Sequence, residues 1–248
     1  MAPIPILDSI KAIEKLYDTG ERPVLVACSD KNWYICKYMR SSTRAFKLAS
    51  ELIGAQFASV WKINSPKYAF VKIKQEHWGH VLTPRSLSGP ALGYYFLEGV
   101  ADITPSTSRY VTQKKSLLQQ LLEIALFDFW IANEDRTYNN ANLLYDIEKQ
   151  KLVSIDYGGI LNTSTFDFPL SQLTSTDTIL YAEIFHHLIQ KYTSDSIWKL
   201  AEELKPHYNH CVNESCMLTD QIVDSIPQEW NIHKDVITEK LQQLFQQE

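Results

Sequence analysis

The chain has few cysteines, no long apolar run and no excess of positive charge. Its 248 residues hold four cysteines, Cys28, Cys36, Cys211 and Cys216. They form no dense framework of the kind that staples small secreted domains, so a reducing, cytoplasmic setting is expected. No apolar run reaches the roughly 18 residues of a membrane span. The opening M-A-P-I-P-I-L-D has neither the basic region nor the apolar length of a signal peptide. The formal net charge is −5, which speaks against a general nucleic-acid binder while leaving room for a local basic cleft. Internal repeats and low-complexity segments are absent as well.

Core-forming material is plentiful: 45% of residues are hydrophobic and 12% aromatic. That suffices for one large domain or two lobes around a cleft. Residues 24–27 and 33–38 read as strands around a polar turn, and 68–73 and 93–97 add two more. Residues 10–17 fit both a strand and a helix. One helix is expected at 44–61, capped by Ser42 or Thr43, with Phe46, Ala49, Ile53, Phe57 and Val60 as its apolar stripe. Residues 76–90 read as an irregular loop and 98–104 as a connection between lobes. The apolar face at 112–132 predicts a helix buried in a second lobe. A hairpin at 143–155 and a Ser/Thr-rich loop to 176 follow, then helices at 178–193, 195–205, 214–225 and 233–246. The order predicts an α+β fold with two segregated lobes, 1–100 and 101–248.

Residues 131–159 carry the chemistry: I-A-N-E-D-R-T-Y-N-N-A-N-L-L-Y-D-I-E-K-Q-K-L-V-S-I-D-Y-G-G. Asp135 precedes Asn140 by five positions, and Asp156 follows the hairpin. Phosphoryl transfer asks a protein mainly for positioning and charge neutralisation. Mg²⁺ takes hard oxygen ligands, usually one or two carboxylates with phosphates and water. Asp156 and Asn140 offer a carboxylate and an amide oxygen, and Asp135 can accept a hydrogen bond from an attacking hydroxyl. Lys37, inside the strand Y-I-C-K, can hold ATP phosphates, and Glu51 can fix that lysine by an ion pair. Each part alone has a plainer reading: turn acids for Asp135 and Asp156, an Asx turn for Asn140, solvated charges for Lys37 and Glu51. Their joint order favours a kinase.

N-E-D-R-T-Y-N-N-A-N-L-L followed by L-V-S-I-D-Y-G-G resembles the HipA-like kinases, in their compact branch without the N-terminal extension. The resemblance extends to Y-I-C-K, to A-S-E-L-I-G-A-Q-F-A-S-V-W-K-I-N-S-P, to A-L-G-Y-Y-F-L-E-G and to I-P-Q-E-W near the end. Phosphatidylinositol kinases share the logic more distantly. The resemblance implies a bilobal protein-kinase-like fold, with an antiparallel sheet and one helix in a nucleotide-binding lobe and a helical catalytic lobe. It implies ATP and Mg²⁺, with Asp135 as catalytic base, Asn140 and Asp156 as metal ligands, Lys37 as phosphate-binding lysine and Glu51 as its partner. It makes 10–17 a strand and D-T-G-E-R-P at 18–23 the phosphate-covering turn. That turn departs from its relatives by having one glycine, Gly20, and Arg22 near the place of a serine.

A protein serine or threonine is the leading acceptor, by analogy with HipA relatives. A small-molecule kinase and a pseudokinase binding module are the alternatives. His207, His210, Cys211 and Cys216 lack the paired spacing of a zinc site, with Cys216 read as opening a new element. Tyr94, Tyr95 and Phe96 suit either an adenine pocket or strand packing. Arg136 suits a brace for the catalytic loop, and the loop at 160–176 a solvated linker or an autophosphorylated segment. The acceptor's identity and the oligomeric state are not encoded in any motif.

Overall fold

Alternating β-branched and aromatic residues build an N-terminal sheet. The computed structural model describes residues 2–39, 45–79, 89–104, 107–108, 115–136, 138, 140–161, 170 and 178–246. Strands β1 (Ile6–Asp8), β2 (Lys15–Leu16), β3 (Val24–Ala27), β4 (Trp33–Lys37), β5 (Tyr68–Lys72) and β6 (Ala91–Tyr95) pair in the order β1-β5-β6-β4-β3-β2. Neighbours are antiparallel except the edge pair β1 and β5, which are parallel. The 10–17 stretch contributes only two residues of strand, β2. Ile10 and Glu14 still donate to the Ala27 and Leu25 carbonyls, but a bend at 11–12 interrupts the ladder. The strand expected at 93–97 sits two residues earlier, at 91–95.

Side chains alternate across a strand. Cys36 and its neighbours Tyr34 and Tyr38 therefore enter a small core with Val24, Val26, Val71 and Trp78, and Lys37 points to the other face. That face carries α1 (Ala45–Val60). The helix is buried on nearly every side, not along one stripe, because the sheet lies on one flank and a long helix on the other. Gln56 Nε2 donates to Ser225 Oγ at 2.9 Å and Trp61 Nε1 to Ser215 Oγ at 3.1 Å, joining α1 to that helix. The expected caps Ser42 and Thr43 lie outside the described residues.

Downstream come β7 (Val100–Asp102), α2 (Lys115–Trp130), β8 (Leu143–Asp146) and β9 (Lys151–Ser154), the strands pairing in the order β7-β8-β9. Residues 98–104 thus supply a strand as well as a connection. The chain ends in α3 (Glu183–Ile189), α4 (Ser194–Asp224) and α5 (Lys234–Phe245). The helix expected over 178–193 is shorter, preceded by a 3₁₀ turn that Thr178 caps. The helices expected at 195–205 and 214–225 are one, α4, which runs through Pro206. A proline inside a helix costs about 3 kcal/mol. Burial of Leu200, Leu204, Cys211, Ser215, Thr219, Ile222 and Val223 along one face opposes that cost. One core runs from α1 through α2 to α5, with Trp61 stacked on Trp130 at 5.0 Å.

Candidate active site

Three charged groups from distant parts of the chain converge where β4 ends. Lys37 Nζ donates to Glu51 Oε1 and lies 3.0 Å from Asp156 Oδ1. The other Glu51 oxygen accepts from the Tyr94 hydroxyl at 2.8 Å and from the Tyr157 backbone N–H at 3.2 Å. One carboxylate therefore ties the sheet, α1 and the segment after β9 together. Gly54 makes the close approach possible: a Cβ there would stand 2.3 Å from Tyr157 Cβ.

The two carboxyls titrate apart. Burial pushes Glu51 up to about 7; Lys37 opposes the push and the Asp156 charge adds to it. Burial also disfavours ionised Asp156, but Lys37 and hydrogen bonds from Glu51 and the Gly158 N–H outweigh it and hold this carboxyl well below its usual range. Burial likewise works against charged Lys37, and Glu51 with Asp156 reverses that, raising it. Asp156 is thus the fixed anion of the cleft. It adopts the left-handed region at φ 61°, which costs a non-glycine residue about 1 kcal/mol or more. Ala132, Asn142 and Leu161, beside it in the fold, share that region.

Asp135 sits on a separate scaffold. Asn133 Nδ2 donates to Asp128 Oδ1 at 2.8 Å, and Asn133 Oδ1 accepts from the Asp135 N–H at 3.2 Å. The Asp135 carbonyl accepts from Asn142 Nδ2 at 2.9 Å, and Glu134 N–H donates to the Gly159 carbonyl at 3.0 Å. Arg136 is fully buried and braces the loop. Its Nε pairs with Asp128 Oδ2 at 2.6 Å, Nη1 donates to the Ala141 and Asn142 carbonyls, and Nη2 donates to Ser154 Oγ. Burial and then the Asp156 charge raise the Asp135 pKa, against the pull of Lys47, Lys37 and Arg136.

Asn140 is exposed and hydrogen-bonds to no described residue. In the 18–23 turn, Arg22 and not Gly20 takes the left-handed position, with φ 48°. The Arg22 N–H donates to the Thr19 carbonyl at 2.9 Å. From this turn Glu21 reaches Lys47 on α1, at 3.3 Å. Glu21, Lys37, Lys47, Glu51, Asp156 and Gly158 line one cleft. Neither Lys47 nor Asp128 was singled out in the sequence. The first is signalled by its four-residue spacing from Glu51, the second by an acid set in the apolar run F-D-F-W.

The remaining candidates fall elsewhere. His207 lies 3.5 Å from Cys211 Sγ one turn along α4, and Cys216 is exposed on the same helix, so it does not open a new element. Among the described residues no group of three or more His, Cys, Asp and Glu side chains could hold a metal. Tyr95 is partly exposed and packs edge-on to Tyr34 at 5.9 Å. Most of the 160–176 loop lies outside the described residues. No described helix is long and apolar enough to cross a membrane.

A sequence model of the HipA-like kinases matches residues 10–247. No curated protein matches the chain. A Helicobacter pylori proinflammatory kinase, CtkA, superposes with a TM-score of 0.60 at 13% identity, covering 97% of this chain and 94% of that one. The golgi casein kinase gives 0.40 at 12% identity, covering 99% and 73%. The CtkA likeness is one of fold.

Proposed function

As this chain belongs to the HipA-like kinase family, we propose that it transfers the γ-phosphoryl group of ATP to a serine or threonine hydroxyl of a protein. The observation that carries this reading is the meeting of Lys37, Glu51 and Asp156 in one cleft. Lys37 holds the α- and β-phosphates, and Glu51 with Asp156 fixes its ammonium. Asp135 accepts the hydrogen bond of the acceptor hydroxyl and orients it. Asp156 and the exposed amide of Asn140 suit a divalent cation. The set is too small for an all-protein cage, as expected of Mg²⁺ held partly by substrate phosphates. Bound there, the ion would neutralise phosphate charge. Residues 1–100 serve as the nucleotide-binding lobe and 101–248 as the catalytic lobe. The protein acceptor rests on family membership.

Thermal unfolding with Mg-ATP tests the nucleotide claim. A ligand at 100 times its Kd stabilises by about 2.7 kcal/mol. An unchanged Tm at millimolar Mg-ATP would sink the reading. Label from γ-labelled ATP appearing in small molecules of a cell lysate, and in no protein band, would overturn the acceptor class.

A further inference from the structure

One cation of the cleft has no part in the reaction above. Lys47 stands one helical turn before Glu51 on α1, so the two share a face. Its ammonium meets Glu21 Oε1 at 3.3 Å, and both residues line the cleft with Lys37 and Asp156. The Lys47 side chain is 42% exposed and that of Glu21 30%. The pair therefore spans the cleft from turn to helix without being packed into the core.

The turn that brings Glu21 there is poor in phosphate-binding backbone. It holds one glycine, and the Arg22 N–H is already engaged by Thr19. The Arg22 carbonyl is held by the Tyr38 hydroxyl at 3.2 Å. A glutamate facing the phosphate-binding lysine repels a polyphosphate unless its charge is compensated. Lys47 compensates it in the free protein. Its charge is also felt at Asp135, where it opposes the raised pKa more strongly than Lys37 does.

We propose that Lys47 is a second phosphate anchor, covered by Glu21 in the nucleotide-free protein and handed to the β- and γ-phosphates when Mg-ATP enters. This rests on the ATP-dependent reading above. The exchange is favourable: an exposed ion pair is worth at most about five-fold in an equilibrium, whereas a hydrogen bond to a charged group is worth roughly 10- to 100-fold. Lys47 thereby supplies the charge that a glycine-rich turn would supply through its N–H groups.

Calorimetric titration of the full chain with Mg-ATP and with AMP tests it. Lys47→Gln is expected to weaken Mg-ATP at least about 10-fold and leave AMP unchanged, with Lys47→Arg retaining most of the affinity. Glu21→Gln is expected to tighten Mg-ATP by up to about five-fold. Unchanged Mg-ATP affinity in Lys47→Gln, an equal loss of AMP, or Mg-ATP binding weakened by Glu21→Gln would each overturn the anchor. If the unaltered protein binds AMP but not Mg-ATP, the ATP reading falls and the anchor with it. If it binds Mg-ATP and Lys47→Gln binds it equally, only the anchor falls.

Discussion

Replacing Gly159 by alanine should cripple phosphoryl transfer and leave nucleotide binding nearly intact. The new Cβ would stand 2.4 Å from Asp135 Cβ, 3.2 Å from the Asp135 nitrogen and 3.3 Å from Asn133 Oδ1. Carbon atoms rest at about 3.5–4.0 Å, so the two segments have to part by roughly 1 Å. The obstacle is stiff, because Asn133, Asn142 and Glu134 hold the Asp135 backbone in place. A displacement of that size near reacting atoms costs about 100-fold in rate, or about 2.7 kcal/mol of barrier. Overpacking adds about 1–3 kcal/mol of lost stability. Lys37 and Glu51 bond to Asp156 and Tyr157 and not to Gly159 or Asp135, so the Kd for Mg-ATP should hold. The assay is the rate of label transfer from γ-labelled ATP, set beside calorimetric affinity. Gly20→Ala is the control, since nothing lies within 4 Å of its missing Cβ. It should gain about 0.4–1 kcal/mol of stability where Gly159→Ala loses it. A Gly159→Ala enzyme with an undiminished rate, or one whose rate and Mg-ATP affinity fall together, would refute the reasoning.

Two further outcomes follow from the buried charges. Arg136→Met leaves Asp128 buried without its cation and should cost about 3–5 kcal/mol in urea unfolding; adding Asp128→Asn should restore much of it, and Arg136→Lys should not rescue, because the guanidinium spans four partners. Glu51 is raised from 4.5 to about 7 in the folded protein, so the fold favours its protonated form. That contribution is complete below about pH 4.5 and drains away as pH rises through about 7. Stability of the nucleotide-free protein should therefore fall over that window, and Glu51→Gln should flatten the fall. Asp156 has the opposite sign: its contribution is present above its unfolded pKa and is lost as pH drops below it. A profile rising from pH 4.5 to 7 in the unaltered protein and unmoved by Glu51→Gln would contradict the Glu51 account.

Much of the fold was legible because its elements have strong local signals. The alternation of Tyr34, Cys36 and Tyr38 announces β4 and sets Lys37 on the opposite face. The apolar periods of α1 and α2 lie within a few residues of their observed bounds. Elements that depend on distant partners were harder to read. β1 exists because β5 offers an edge to pair with, and β7 because β8 does. The gap expected between helices ending at 205 and starting at 214 is closed, because the burial that carries α4 through Pro206 comes from other helices. The same division holds in the cleft. Lys37, Glu51, Asp135 and Asp156 announce themselves by residue type and order. Lys47 and Asp128 matter through Glu21 and Arg136, partners that only the folded chain brings near.

The central claim is that Asp135 serves a phosphoryl transfer from Mg-ATP. The most direct measurement is the initial rate of γ-label incorporation into proteins of a cell lysate, for the unaltered chain and for Asp135→Asn, at matched nucleotide occupancy. The account predicts labelled protein bands with the unaltered chain and a rate about 100- to 10,000-fold lower with the variant, at equal Mg-ATP affinity. Transfer undiminished by Asp135→Asn, or no transfer from an unaltered chain saturated with Mg-ATP, would contradict it.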